Sequence, residues 1–279
     1  MKIPNNTLGY TIKSLQATTS TLLRAGRGNM GTPFPMQPSE ALILYEHEAC
    51  PYSRRVREVM TYLNLDFESR PSPHEGHVYR DELKELAGKV QVPFLIDVNT
   101  DDYILDSQAI IDHLFTHYSK EGITPKDYQE PSTDDHATLV NKVASVVSMM
   151  RGVKAENPAH NQARGKPDEL LHLYGFEASP FCRLVREKLS ELEVGYINHN
   201  VAREQIEDIG VFGKRINLSV FSAPRHPKKY RPVKGGKRER IKDQVMTRKL
   251  QFPYLIDPNT NVVLYESKEI IDYLDETYG

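Results

Sequence analysis

A chain of 279 residues with 36 basic and 38 acidic side chains carries a formal charge of −2. That length allows two domains of ordinary size, and a charge so near zero supplies no global field for nucleic acid. Two cysteines are too few for a disulfide framework, which points to a reducing compartment. No apolar run approaches the ~18 residues of a membrane span, and no signal-peptide core stands near the start.

Along the chain, the first acidic residue is Glu40. Ahead of it lie many Ser and Thr with Lys2, Lys13, Arg24 and Arg27, a composition like that of an organelle transit peptide. Leu8, Ile12, Leu15, Thr19 and Leu22 also fall at helical spacing. Residues 1–38 are therefore expected to be a helical segment docked on the body of the protein through that face. The expected location is cytoplasmic, with organelle targeting as the alternative.

Residues 39–120 read as the first domain. Leu42 to Tyr45 is a short apolar run, expected to be a buried strand. Pro51 suits a helix start, where its missing N–H costs nothing, and Val56, Val59, Met60 and Leu63 give that helix an apolar face. A strand near Asp66 to Arg70, a loop from Ser72 to Tyr79 and a short helix from Asp81 to Leu86 follow. Phe94 to Asp97 and Tyr103 to Leu105 read as strands of a hairpin turning at Asn99 to Asp102. Ser107 is expected to cap a helix reaching Tyr118. The order is β-α-β-α-β-β-α.

Much of this domain recurs further on, and internal repetition outranks local signals. Leu42 to Glu58, LILYEHEACPYSRRVRE, aligns with Leu171 to Glu187, LHLYGFEASPFCRLVRE, at an offset of 129. Gln91 to Thr100, QVPFLIDVNT, aligns with Gln251 to Thr260, QFPYLIDPNT, at an offset of 160, and LDSQAIIDHL from Leu105 aligns with YESKEIIDYL from Tyr265. Residues 168–279 are thus a second copy. Residues 121–167 form a linker, with a connector helix expected over Thr133 to Met150 on the stripe Leu139, Val140, Val143, Val146, Val147 and Met150. Copy two carries an insertion at about 203–249 in which Lys and Arg far outnumber Glu239 and Asp243. It is a candidate patch for an anionic or protein partner, although such a stretch is more often a solvated loop.

The copies differ at a four-residue motif. Copy one has Cys50-Pro51-Tyr52-Ser53 and copy two Ser179-Pro180-Phe181-Cys182. A cysteine at a helix N-terminus meets free backbone N–H groups and the positive end of the helix dipole, and both favour the nucleophilic thiolate. Arg54, Arg55 and Arg57 are expected to add positive charge. With Ser53 in place of a second thiol, a mixed disulfide on Cys50 needs an outside thiol to resolve it. Cys182 falls inside the first helical turn and is expected to be more buried and less reactive, the ordinary condition of a lone cysteine.

The strand, CPYS at a helix start, Val-Pro before a strand and an acidic-Ser pair before the last helix resemble the thioredoxin fold. The variant is that of glutaredoxins and the N-terminal domain of glutathione transferases. The likeness spans most of both copies and is nearest to tandem proteins of this type in bacteria and plastids. It implies two four-stranded mixed sheets flanked by helices, with Pro93 and Pro253 cis. It implies glutathione as co-substrate or ligand, and no metal. Val92 would pair through its backbone with the cysteinyl part of glutathione, and Asp106 and Ser107 would hold the γ-glutamyl group at a helix N-terminus. Pro51, Tyr52, Ser53 and Pro93 complete that site; Ser179, Cys182, Phe252, Pro253, Glu266 and Ser267 are its counterparts in copy two.

Two functions follow as alternatives. One is a glutathione-linked thiol-disulfide oxidoreductase or transferase acting through Cys50. The other is a non-catalytic glutathione- or protein-binding module built from two degenerate domains, which the split of the two thiols between CPYS and SPFC favours. A partner for an anionic polymer at the basic insertion is a third, weaker reading.

Overall fold

The computed structural model describes residues 7–23, 27–129, 151–208, 231–246 and 250–279. Helix α1 (Thr7–Leu23) precedes copy one, which runs β1 (Leu42–Glu46), α2 (Pro51–Tyr62), β2 (Phe67–Pro71), α3 (Arg80–Ala87), β3 (Phe94–Asp97), β4 (Asp102–Leu105) and α4 (Ser107–Tyr118). After α5 (Pro158–Arg164), copy two runs β5 (Leu171–Gly175), α6 (Pro180–Glu191), β6 (Tyr196–Asn200), α7 (Lys237–Gln244), β7 (Tyr254–Asp257), β8 (Val262–Tyr265) and α8 (Ser267–Tyr278). Both copies have the expected element order. The connector helix over 133–150 lies outside the described residues, as do 209–230 and 247–249 of the basic insertion.

Hydrophobic spacing explains the layers. Leu42 and Leu44 alternate along β1 and meet Val56, Val59 and Met60 of α2 with Ile110 and Leu114 of α4. Leu171, Leu173, Val185, Leu189, Ile270 and Leu274 repeat that core in copy two. In each copy the first strand pairs parallel with the second and antiparallel with the third, and the fourth extends the hairpin.

The two sheets are one. β2 pairs antiparallel with β6, giving an eight-stranded sheet in the order β4-β3-β1-β2-β6-β5-β7-β8. The register is Phe67 with Asn198, Glu68 with Ile197 and Ser69 with Tyr196. At the offset of 129, Glu68 and Ile197 are equivalent, so a pseudo-twofold axis passes between them. Each copy alone would leave this strand as an open edge, and pairing removes it.

The same pseudo-symmetry organises a buried layer of charge. Arg57 binds Glu177 at 3.0 Å and Glu48 at 3.0 Å, and also meets Glu46. Its counterpart Arg186 binds Glu48 at 2.9 Å and Glu177 at 2.9 Å. Arg54 lies 3.9 Å from Glu177, and Arg183 lies 3.8 Å from Glu48. Burial alone would raise the Glu48 carboxyl, but Arg186 and Arg57 outweigh it and hold it down. The positive charge expected of Arg54 and Arg57 beside Cys50 is therefore offset, because carboxylates of both copies engage Arg57, and Glu177 of copy two lies near Arg54.

Helix α1 docks on α6, but not through the expected face. Leu8 and Leu15 are 70% and 67% exposed, and Ile12 and Thr19 also face out. The buried positions are Gly9, Ala17 and Ser20. Ala17 joins the apolar core of copy two and Tyr10 packs against it, while polar contacts flank them: Arg183 donates to Ser20 Oγ at 2.5 Å and Arg151 to Gln16 at 2.6 Å. Small residues permit close approach and hydrogen bonds hold it, so the apolar stripe misidentified the contact.

Candidate functional site

In copy one the site forms where β1 ends and α2 begins. Cys50 is the N-cap of α2, with extended backbone (φ −67°, ψ 118°) and Pro51 as first helical residue. Its Sγ accepts a hydrogen bond from Ser53 N at 3.4 Å and donates to the Val92 carbonyl at 3.9 Å. The Val92-Pro93 bond is cis. The thiol thus sits between a helix N-terminus and the loop that leads into β3.

The start of α4 supplies the next group. Asp106, not Ser107, is the N-cap: its carboxylate accepts from Gln108 N at 2.8 Å and Ala109 N at 3.2 Å. Ser107 is the first residue of the helix and is buried, and its hydroxyl has no hydrogen-bond partner among the described residues. Arg55 donates to Gln108 Oε1 at 2.7 Å and ties α2 to this turn. Sequence reasoning took Arg55 as charge for the thiol and missed this tie. Tyr52 is half exposed and stands at the rim, while Ser53 is fully buried.

Copy two has the same frame with its openings filled. Ser179 caps α6, its Oγ accepting from Cys182 N at 3.2 Å. Phe252-Pro253 is cis, and the Arg238 guanidinium lies 5.4 Å from the centre of the Phe252 ring. Gln251 donates to Glu266, and the Ser267 hydroxyl meets the Tyr10 hydroxyl of α1 at 2.6 Å. At the position of Gln251, copy one has the exposed Gln91.

The thiols also differ. Cys182 is 0% exposed and Cys50 6%, and both are free. Burial pushes the Cys182 thiol up. Its Sγ packs on Gly175, where an added Cβ would stand 2.6 Å from the sulfur. Copy one has Glu46 at the place of Gly175 and the smaller Ser53 at the place of Cys182. The two positions are matched in size within each copy, a constraint that four-residue motifs do not reveal.

The basic insertion is partly structural. Lys237 and Arg238 are buried; Lys237 donates to Asn64 O at 2.8 Å and meets Asp66, and Arg238 donates to the carbonyls of Val201 and Ala202. These two cations bind the protein's own acceptors, which corrects the solvated-loop reading at Lys237 and Arg238. No helix among the described residues is long and apolar enough to cross a membrane.

A family model described as the glutathione S-transferase N-terminal domain matches residues 44–122 and 220–279. Comparison with curated proteins and with solved structures returned no match.

Proposed function

Because the chain belongs to the glutathione S-transferase N-terminal-domain family and carries its thioredoxin-like domain in tandem, we propose that copy one is a glutathione-linked thiol-disulfide exchange site and copy two a structural partner. The observation that carries this reading is the place of Cys50 Sγ, at a helix N-cap and facing the Val92 carbonyl beside cis-Pro93. Backbone N–H groups at a helix start favour the thiolate. Ionisation also ends the thiol's donation to Val92, which frees that carbonyl to accept an amide N–H from a bound peptide.

In the proposed cycle the Cys50 thiolate attacks the glutathionyl sulfur of a mixed disulfide. A Cys50–glutathione disulfide forms and the substrate leaves as its thiolate. Ser53 cannot resolve this bond. A second glutathione, as thiolate, attacks its glutathionyl sulfur, releasing oxidised glutathione and restoring the Cys50 thiolate. Asp106 and Ser107 at the start of α4 would hold the γ-glutamyl group, with its carboxylate against the helix N-terminus. Tyr52 and Pro51 would flank the peptide.

A non-catalytic binding module is the second reading, favoured by the near-complete burial of Cys50. Incubation with oxidised glutathione followed by intact-mass measurement separates the two. Exchange at copy one gives one added glutathionyl group in the wild type and none in Cys50→Ser. No adduct on the wild type, with glutathione still bound in calorimetry, selects the binding module.

A further inference from the structure

From the geometry of β4 and α4, we propose that copy one holds a divalent transition-metal ion, of the zinc or copper kind, between Asp102, His113 and His117. His113 and His117 are four residues apart on α4, so their rings share a face, and their centroids lie 4.5 Å apart. Asp102 reaches them from β4: its Oδ2 is 3.6 Å from His113 Nδ1. One ligand atom from each of the three falls within 4.8 Å of the others. Bonds of about 2.0 Å in a tetrahedron place donor atoms about 3.3 Å apart, so the closure required is small. Asp102 and His117 are partly or fully solvent-facing and free to make it.

The second observation is behind the histidine. His113 Nε2 is 2.8 Å from Oδ2 of Asp97, which is fully buried and also accepts from Tyr118 Oη at 2.6 Å. A carboxylate only accepts. His113 therefore donates from Nε2, which in the neutral ring leaves Nδ1, on the side of Asp102, with the lone pair. A carboxylate that orients a ligating imidazole from behind is the usual support of a metal-bound histidine. Asp97 acts here as a positioning residue.

Copy two provides an internal control. Asp257 has the place of Asp97 and is likewise held by Tyr278 at 2.6 Å, but its second partner is Tyr273 Oη at 2.6 Å. Val262, Tyr273 and Thr277 stand where copy one has Asp102, His113 and His117. The buried aspartate thus serves the fold in both copies, while the three donor groups occur in copy one alone. Two imidazoles and one carboxylate suit zinc, copper or nickel rather than magnesium or calcium, and three protein ligands leave a position for solvent. The site is separate from Cys50 and does not depend on the proposed thiol chemistry.

The test uses the full chain without an affinity tag, as Cys50→Ser so that its thiol cannot bind the probe. Titration with zinc chloride in a calorimeter is expected to show one ion bound. His117→Gln and Asp102→Asn, both at solvent-facing positions, are each expected to weaken binding about tenfold or more. Cobalt(II) is expected to give the visible absorption of a tetrahedral ion, lost in His117→Gln. Asp97→Asn should weaken the site about 10–100-fold, but its burial risks the fold, so the decision rests on the two surface variants. Absence of zinc binding in the parent, or unchanged affinity and stoichiometry in both His117→Gln and Asp102→Asn, overturns the proposal.

Discussion

The Tyr10 hydroxyl and Ser267 Oγ lie 2.6 Å apart, so the first helix of the chain closes the start of α8 from within. The equivalent helix start in copy one, at Ser107, meets no such side chain among the described residues. On the proposed function, this asymmetry favours copy one over copy two for glutathione. In calorimetry, Ser107→Ala is expected to weaken glutathione by about 1.5 kcal/mol, the scale of a hydrogen bond to a charged group. Ser267→Ala should leave that affinity unchanged and lower unfolding stability by about 1 kcal/mol through loss of the Tyr10 contact. The reverse pattern, with only Ser267→Ala affecting glutathione, would move the site to copy two.

The two thiols should separate in alkylation. Iodoacetamide at neutral pH is expected to label Cys50 about tenfold or more faster than Cys182. Cys50 sits at a helix N-cap, whereas Cys182 is fully buried with its thiol raised by that burial. Peptide mapping after timed quenching reads the two rates. Equal rates, or Cys182 first, remove Cys50 from the nucleophile's role.

Gly175 and Cys182 form a matched pair, and the match is testable. A Cβ at 175 would stand 2.6 Å from Cys182 Sγ and 3.2 Å from its Cβ, so Gly175→Ala is expected to cost about 1–3 kcal/mol by overpacking. Adding Cys182→Ser, which restores copy one's combination of a side chain at the strand position and Ser in the helix, should recover part of the loss. Denaturant unfolding of both variants supplies the comparison, and an equal loss in the double variant would refute the size match. The same contact implies that Ser53→Cys would press its sulfur on the Glu46 side chain, so its stability must be measured before any dithiol chemistry is inferred.

The repeat made the secondary structure legible, because aligned blocks such as QVPFLIDVNT and QFPYLIDPNT place the same strand twice. It also held an unread signal. Arg54, Arg57 and Glu48 recur as Arg183, Arg186 and Glu177, whereas Cys50 and Ser53 do not recur in place. Residues shared by both copies serve what the copies share, here the buried charge layer across the pseudo-twofold axis. Residues that differ carry what differs. The joining of β2 to β6 was not legible, since edge pairing uses backbone groups that every sequence has. The face of α1 misled for a related reason. The helix docks through the small Ala17 and through hydrogen bonds from Arg151 and Arg183, and apolar periodicity registers neither a small residue nor a polar contact.

His47, just ahead of Cys50, gives a pH dependence that can be assigned to one side chain. Burial first, then the neighbouring His74 and Arg57, push its pKa down to about 3. In the unfolded chain a histidine titrates near ~6.5. Between those values the unfolded state holds the extra proton, so stability rises with pH through the window and falls as pH is lowered from about 6.5 toward 3. Above about pH 6.5 the contribution is complete and flat. Copy two has Phe176 at this position, which names the substitution: His47→Phe removes the titration while filling similar space. Thermal midpoints of wild type and variant across about pH 4 to 8 are expected to diverge only on the acid side, with the variant's slope the shallower. Parallel curves would mean that His47 takes up its proton without opening the fold, and that the acid lability belongs to other groups, His172 and the interface carboxylates among them.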